Sequence, residues 1–328
     1  MINDRQEMDI YLGIDVGSVT TKFAVLDKNS QLVDSIYLRT QGKPIIMIQQ
    51  GLRMLRGKLP QDSVIRGIGT TGSARYLAGV IVGADVIKNE VTSQAVAALQ
   101  YYPEARTIIE IGGQDSKIII LRQGIVVDFG MNTLCAAGTG SFLDHQASRL
   151  DMRIEDFGQR ALKSKNPVSI AGRCTVFAES DMIHKQQMGQ PIEDILYGLC
   201  HSLVRNYLNN IAQGKQVLPP VVFQGGVAFN QGIVRAFGEN LKTEIIVPPH
   251  NEVMGAIGAA LLAQEKTIEK GNSTKFYGFG ISESDYHTST FECKACPNLC
   301  EIAQISLDDK FLARWGGRCD LWEITPTS

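Results

Sequence analysis

The sequence predicts an α/β protein made of two copies of one hairpin-based domain, followed by a small cysteine-rich extension. Three observations carry this. Apolar strand-like runs alternate with stretches of helical spacing, which calls for sheets covered by helices. Shifting the chain by 95 positions lays Ile14-Asp15-Val16-Gly17 over Ile109-Glu110-Ile111-Gly112, Lys22 over Lys117 and Leu26 over Leu121. Glycine turns recur in order, each after a predicted strand. The expected domains are 1–105, completed by a helix at 252–266, then 106–251, then a linker and extension at 267–328.

At 328 residues the chain is long for one core, which supports two domains. Hydrophobic content of 44% and charged content of 20% fit a globular protein, and a net charge of -2 argues against a nucleic-acid partner. No window holds the roughly 18 apolar residues of a membrane span. The polar stretch Met1 to Glu7 is no signal peptide, so the expected location is cytoplasmic, without membrane attachment. In that compartment, seven cysteines read as metal or redox chemistry before disulfides.

Taken in order, Ile10 to Asp27 reads as a strand, a tight polar turn at Gly17 to Thr21 and a second strand; Asn29-Ser30 turns into a third, Leu32 to Arg39. Asp15 ends the first strand, where a carboxylate can hold hydrated Mg²⁺ while the turn faces phosphate. An ordinary hairpin with a polar tip is the plainer reading, and the repeat weakens it. Pro44 to Arg56 has helical spacing, Val64 to Gly72 is a strand ending in a Thr-Thr-Gly turn, and Ala84 to Lys88 is a short strand. Glu90 to Tyr101 is a helix, with Glu90 and Thr92 as capping residues. The second copy brings a turn at Gly112-Gly113-Gln114-Asp115 and a strand from Ile125 to Phe129. Two such turns would face each other across an interdomain cleft.

Cys135 then stands directly in front of Gly138-Thr139-Gly140, a turn that lets backbone N–H groups approach an anion before a helix reaching about Leu150. A short polar helix spans Ile154 to Lys163. Cys174 follows Gly172 and precedes another helix, and Pro191 to Gln213 forms a long one. Two thiols at two helix N-termini make half of a soft-metal site, since the positive helix ends suit an anionic cluster. A cubane iron–sulfur cluster or a tetrahedral zinc wants four ligands, which a twofold dimer would supply. Two buried free cysteines are the plain alternative. Cys200 and His201 read as core and as a packed or solvated histidine. Val221 to Asn230 is a strand entering a diglycine turn and then a helix, suited to adenine and ribose, and Glu252 to Ala263 is a small-residue helix able to pack closely. Glu110, Lys22 and Lys117 are left outside the site, because a lysine on an edge strand is more often solvated.

The order Gly13-Ile14-Asp15-Val16-Gly17-Ser18, then Ile111-Gly112-Gly113-Gln114-Asp115, then Gly225-Gly226-Val227, then Gly255 to Ala260 resembles the phosphate-1, phosphate-2, adenosine and connecting motifs of the sugar kinase, chaperone and actin superfamily. Within it, Asn132 to Gly140 and Cys174 to Ser180 closely resemble the activators of 2-hydroxyacyl-CoA dehydratases, a group that includes benzoyl-CoA reductase ATPase subunits. The match covers roughly residues 9 to 265.

This resemblance implies two ribonuclease H-like (actin-like) domains with an interdomain nucleotide cleft. It implies a homodimer holding one oxygen-sensitive [4Fe–4S] cluster on Cys135 and Cys174 of each chain. ATP binding and hydrolysis to ADP would swing the cluster-bearing helices and drive one electron to a partner iron–sulfur enzyme, such as a dehydratase or a double-cubane-cluster protein. Ferredoxin or flavodoxin would supply the electron. The implied Mg²⁺ ligand, through water, is Asp15; Gly17, Ser18, Val19 and Thr20 would face phosphate, and Gly112, Gly113, Gln114 and Asp115 would contact phosphates and the attacking water. Gly138, Thr139 and Gly140 would complete the phosphate cradle, with Gly225, Gly226, Val227 and Asn230 on adenosine.

The extension departs from the minimal activator. Cys293, Cys296 and Cys300 with the distant Cys319 supply four thiolates for zinc or a second iron–sulfur cluster, and the spacing does not decide between them. A metabolite kinase of the same superfamily and a nucleotide-switched scaffold are the competing readings.

Overall fold

The structure, a computed structural model, describes residues 8–132, 138–271, 273–307, 310–319 and 321–322. The chain divides into two units, one formed by Met1–Ser93 with Gly255–Ser328 and the other by Gln94–Met254.

The first unit opens with β1 (Met8–Val16), β2 (Thr20–Asp27) and β3 (Leu32–Arg39), an antiparallel meander as the alternation predicts. Then come α1 (Pro44–Lys58), β4 (Ser63–Thr71), α2 (Arg75–Val82) and β5 (Val86–Ile87), and after them α3 (Glu90–Tyr101), whose residues from Gln94 onward belong to the second unit. The sheet order is β3-β2-β1-β4-β5, with β1 and β4 parallel. Ile10, Leu12, Ile14, Phe23 and Val25 bury their side chains with Ile48, Leu52 and Leu55 of α1. Helix α2 has no helical signature in the sequence, because Leu77 to Val82 are all buried and leave no polar face to set a period. A cap of α3 not expected from the sequence is Asn89, whose Oδ1 accepts from the Thr92 N–H at 2.8 Å.

The second unit repeats the plan. Strands β6 (Thr107–Ile111), β7 (Ser116–Arg122) and β8 (Ile125–Asn132) form the meander, and α4 (Gly140–Arg149), α5 (Ile154–Ala161), α6 (Thr175–Gln187) and α7 (Ile192–Asn210) follow. Then β9 (Val221–Gln224) leads through a short 3-10 turn to α8 (Gln231–Leu241) and β10 (Ile245–Ile246). The order β10-β9-β6-β7-β8 is that of the first sheet, with β6 and β9 parallel. Long α7 lies in the core: Leu196, Leu199, Cys200, Leu203 and Tyr207 are fully or nearly fully buried. Burial pushes the Cys200 thiol far above its ordinary range, which fits the core reading. His201 packs edge-on against Tyr197 and lies 3.3 Å from Glu239.

Helix α9 (Met254–Glu269) returns to the first unit. Its small residues let strand backbone come close, as expected: a Cβ on Gly13 would overlap the Ala256 carbonyl oxygen, and one on Gly69 that of Ala259. A Gly13→Val variant is therefore expected to lose about 1–3 kcal/mol of stability in urea unfolding, with an unchanged midpoint as the contrary result.

Beyond α9, the chain forms a third sheet of β11 (Tyr286–Glu292), β12 (Glu301–Leu307) and β13 (Lys310–Trp315), antiparallel throughout. It is part of the first unit's core, with Ile281, Ile305 and Ala313 joining the cluster that holds Leu52, Leu77 and Val80. Arg53 donates to the Ser282 carbonyl at 2.6 Å and Gln49 to that of Ser284 at 2.6 Å, fixing the segment ahead of β11 on α1.

Candidate functional site

The internal repeat holds down to single hydrogen bonds. At the tip between β1 and β2, the Gly17 N–H donates to the Thr20 carbonyl at 2.9 Å; between β6 and β7, the Gly112 N–H donates to that of Asp115 at 2.9 Å. Asp15 faces Lys22 in register across β1 and β2, and Glu110 faces Lys117 across β6 and β7. Gly72 after β4, at φ +94, would overlap the Val16 carbonyl with a Cβ; Gly225 after β9, at φ +93, would overlap that of Ile111. Only glycine suits these left-handed, crowded positions. The turn after β4 is thus the counterpart of the diglycine turn. Its Thr70-Thr71-Gly72 motif was visible in the sequence as a turn, without a site role.

In the first unit Asp15 is 5% exposed, and its Oδ2 lies 3.0 Å from Lys22 Nζ. Beside it across the parallel pair sits Thr71, whose buried hydroxyl has no hydrogen-bond partner among the described residues. The Gly17–Thr20 tip is held by Thr40, whose Oγ1 donates to the Gly17 carbonyl at 2.9 Å and whose N–H donates to that of Val19 at 2.8 Å. Ser18 is exposed at that tip, with Val19 and Thr20 half-buried. A buried carboxylate next to an orphaned hydroxyl and a glycine tip is a donor set that fits a hydrated cation and phosphate.

In the second unit Lys117 is the surprise. It lies on a central strand rather than an edge, is 2% exposed, and places Nζ 3.0 Å from Glu110 and 2.6 Å from Asp115. The Gly112–Gly113 turn is bound to the start of α4: the Gly140 N–H donates to the Gly112 carbonyl at 2.9 Å, and the Ser141 N–H to that of Gly113 at 2.8 Å. The Ser116 hydroxyl donates to the Gly138 carbonyl at 2.5 Å. Gly138 and Gly140 therefore lie against the β6–β7 turn, and Thr139 between them is fully buried. Cys135 itself lies outside the described residues.

Cys174 is the N-cap residue of α6, free and half-buried, with Val176 and Phe177 exposed just after it. A half-buried thiol at a helix start fits one quarter of a four-thiolate site. On the diglycine turn, the Gly225 N–H donates to the Asn251 carbonyl at 2.8 Å, and Asn251 Nδ2 returns a bond to the Gly225 carbonyl at 2.9 Å. Gly226 is exposed and Val227 buried. Asn230 caps α8 by accepting from the Ile233 N–H at 3.1 Å, and its Nδ2 has no partner among the described residues.

The profile of the BadF/BadG/BcrA/BcrD ATPase family matches residues 12–263, most of the chain. The chain belongs to that family. Among relatives, it is 37% identical to the 2-hydroxyisocaproyl-CoA dehydratase activator of Clostridioides difficile over 80% of this chain and 98% of the other. It is 35% identical to the (R)-2-hydroxyglutaryl-CoA dehydratase activating ATPase of Acidaminococcus fermentans over 80% of this chain and all of the other. The solved structure of the activator of the 2-hydroxyisocaproyl-CoA dehydratase from Clostridium difficile with bound ADPNP superposes at a TM-score of 0.72 with 36% identity, covering 80% of this chain and 97% of that one. The third sheet lies outside the family match, which ends at 263.

Family membership leaves the cysteines of that third sheet unexplained. Cys293 is buried and its Sγ accepts from Trp322 Nε1 at 3.1 Å; Cys296 and Cys319 are exposed, and Cys300 is half-buried. Among the described residues no three His, Cys, Asp or Glu side chains are grouped to hold a metal. Nor is any described helix long and apolar enough to cross a membrane.

Proposed function

We propose that this ATPase-family chain is an activator: ATP binding and hydrolysis drive one electron, at low potential, to a partner iron–sulfur dehydratase or reductase. The observation that carries this is the direct bonding of Gly140 and Ser141 to the Gly112–Gly113 turn, with the Ser116 hydroxyl on the Gly138 carbonyl just ahead of them. Any nucleotide-dependent shift of that turn must pull on the segment that begins at Cys135. The solved relative with bound ADPNP and the relatives named as dehydratase activators support the same reading.

In this account Asp15 holds Mg²⁺ through water, and the Gly17–Thr20 tip and Gly112, Gly113, Gln114 and Asp115 receive the phosphates and the attacking water. Lys117 holds the Asp115 and Glu110 carboxylates in place. Gly225, Gly226, Val227 and Asn230 hold adenosine, with the Asn251 bonds keeping the turn open to a flat ring. Cys135 and Cys174 of two copies would hold one [4Fe–4S] cluster, which supplies one-electron chemistry when bound. The chain's own part is to bind nucleotide, orient water and move the two cysteine segments. The upstream donor in this reading is a ferredoxin or flavodoxin.

The expected second metal, zinc or iron–sulfur, on Cys293, Cys296, Cys300 and Cys319 does not fit the thiols as they stand, since they are not grouped around one point, although the chain brings them to one region. The end of β11, the start of β12 and the end of β13 lie at one end of their sheet.

A metabolite kinase makes a phosphorylated product, whereas an activator releases free phosphate. Anaerobically purified protein given γ-labelled ATP is expected to release the label as inorganic phosphate with or without added sugars. Transfer of label to an added metabolite would overturn the reading.

A further inference from the structure

The phosphate turn and the Cys174 segment do not touch directly in the bonds described above, yet an ATP-driven device with Cys174 as a ligand needs them coupled. One helix makes contact with both. Tyr207 of α7, fully buried, donates its hydroxyl to the Lys117 carbonyl at 2.6 Å, one residue from Ser116 and two from Asp115. One residue earlier on the same helix, Asn206 is 1% exposed; its Nδ2 donates to the Gly172 carbonyl at 2.7 Å and to that of Arg173 at 3.3 Å, directly before Cys174. Ser202 donates to the Ala171 carbonyl and Arg205 to that of Ile170, each at 2.5 Å. Four consecutive carbonyls ahead of Cys174 are thus gripped by three side chains of α7.

Asn206 also reaches toward the other cysteine segment. Its Oδ1 is buried without a partner among the described residues, and a Cβ on Gly138 would stand 3.1 Å from it. The residue thus lies between Gly138 and the Gly172–Arg173 carbonyls.

We propose that α7 carries nucleotide-dependent movement from the start of β7 to the Cys174 segment, with Tyr207 as the tether on β7 and Asn206 as the positioning residue that keeps both cysteine segments in step. This rests on the activator reading and extends it from Cys135 to Cys174. Coupling of this kind needs an element with contacts to both sites, not a wire of catalytic groups.

The test is hydrogen–deuterium exchange of the full-length protein with and without a non-hydrolysable ATP analogue, comparing wild type with Asn206→Leu and Tyr207→Phe. In wild type the amides of 112–116 and of 170–177 are expected to change exchange rate by about fivefold or more on adding nucleotide. In both variants the response at 112–116 stays and the response at 170–177 falls to within about a third of its wild-type size. Tyr207→Phe preserves the packing, so the test stands even where Asn206→Leu folds poorly. A wild-type response at 112–116 without one at 170–177, or variants that keep both, would overturn the coupling while leaving the activator reading intact. A wild type that responds at neither segment would overturn the activator reading itself.

Discussion

Replacing Asp15 with asparagine is expected to lower ATP hydrolysis by roughly 10²-fold or more, because the site loses the charge that holds the cation on the phosphates. The geometry makes the effect local. Asp15 is 5% exposed at the end of β1, and asparagine keeps its shape and can still accept from Lys22 at the present 3.0 Å spacing. Some stability is lost with the charge that faces Lys22, whose side chain is 15% exposed, while turnover collapses. Steady-state phosphate release with titrated Mg²⁺ is the measurement, and a rate within about twofold of wild type would remove Asp15 from the mechanism.

Lys117→Met should instead damage the fold. Glu110, 3% exposed, would lose the ammonium 3.0 Å away, and Asp115 would lose its partner at 2.6 Å. Breaking one side of a buried pair costs about 3–5 kcal/mol, a fall in melting midpoint on the order of 10 °C for a unit of this size. A Glu110→Leu, Lys117→Met double variant should recover at least half of that loss, since replacing both charges removes the desolvation penalty together with the attraction. A single variant that melts within about 2 °C of wild type would mean that the pair is better solvated than its burial implies.

Much of this architecture was written in the sequence. The strand–turn–strand at Ile10 to Asp27 was legible because a period of two in its apolar residues ends at a glycine tip, and the shift of 95 exposed its second copy. Packing of α9 was legible because a run of glycine and alanine has few other uses. What escaped depends on tertiary surroundings. Lysine at 117 is buried only because two carboxylates lie within reach, one on a neighbouring strand and one two residues away. The strand β11 carries His287, Thr288, Ser289 and Thr290, all exposed, so it has no apolar alternation to betray it. Ser202, Arg205 and Asn206 look like the polar face of a surface helix, yet their partners are the carbonyls of 170–173, forty residues or fewer upstream in sequence and visible only in the fold. Cys174 was readable as a helix-start thiol; its grip by α7 was not.

The most direct test of the account is iron and sulfide content with electron paramagnetic resonance after dithionite reduction, on protein purified without oxygen. The comparison is a Cys135→Ala, Cys174→Ala double variant. The account expects about two irons per chain at the shared site, in a reducible [4Fe–4S] signal that vanishes in the variant, with any remaining zinc or iron belonging to the third-sheet cysteines. Native protein that binds ATP but carries no iron, or a signal that survives in the variant, would contradict it.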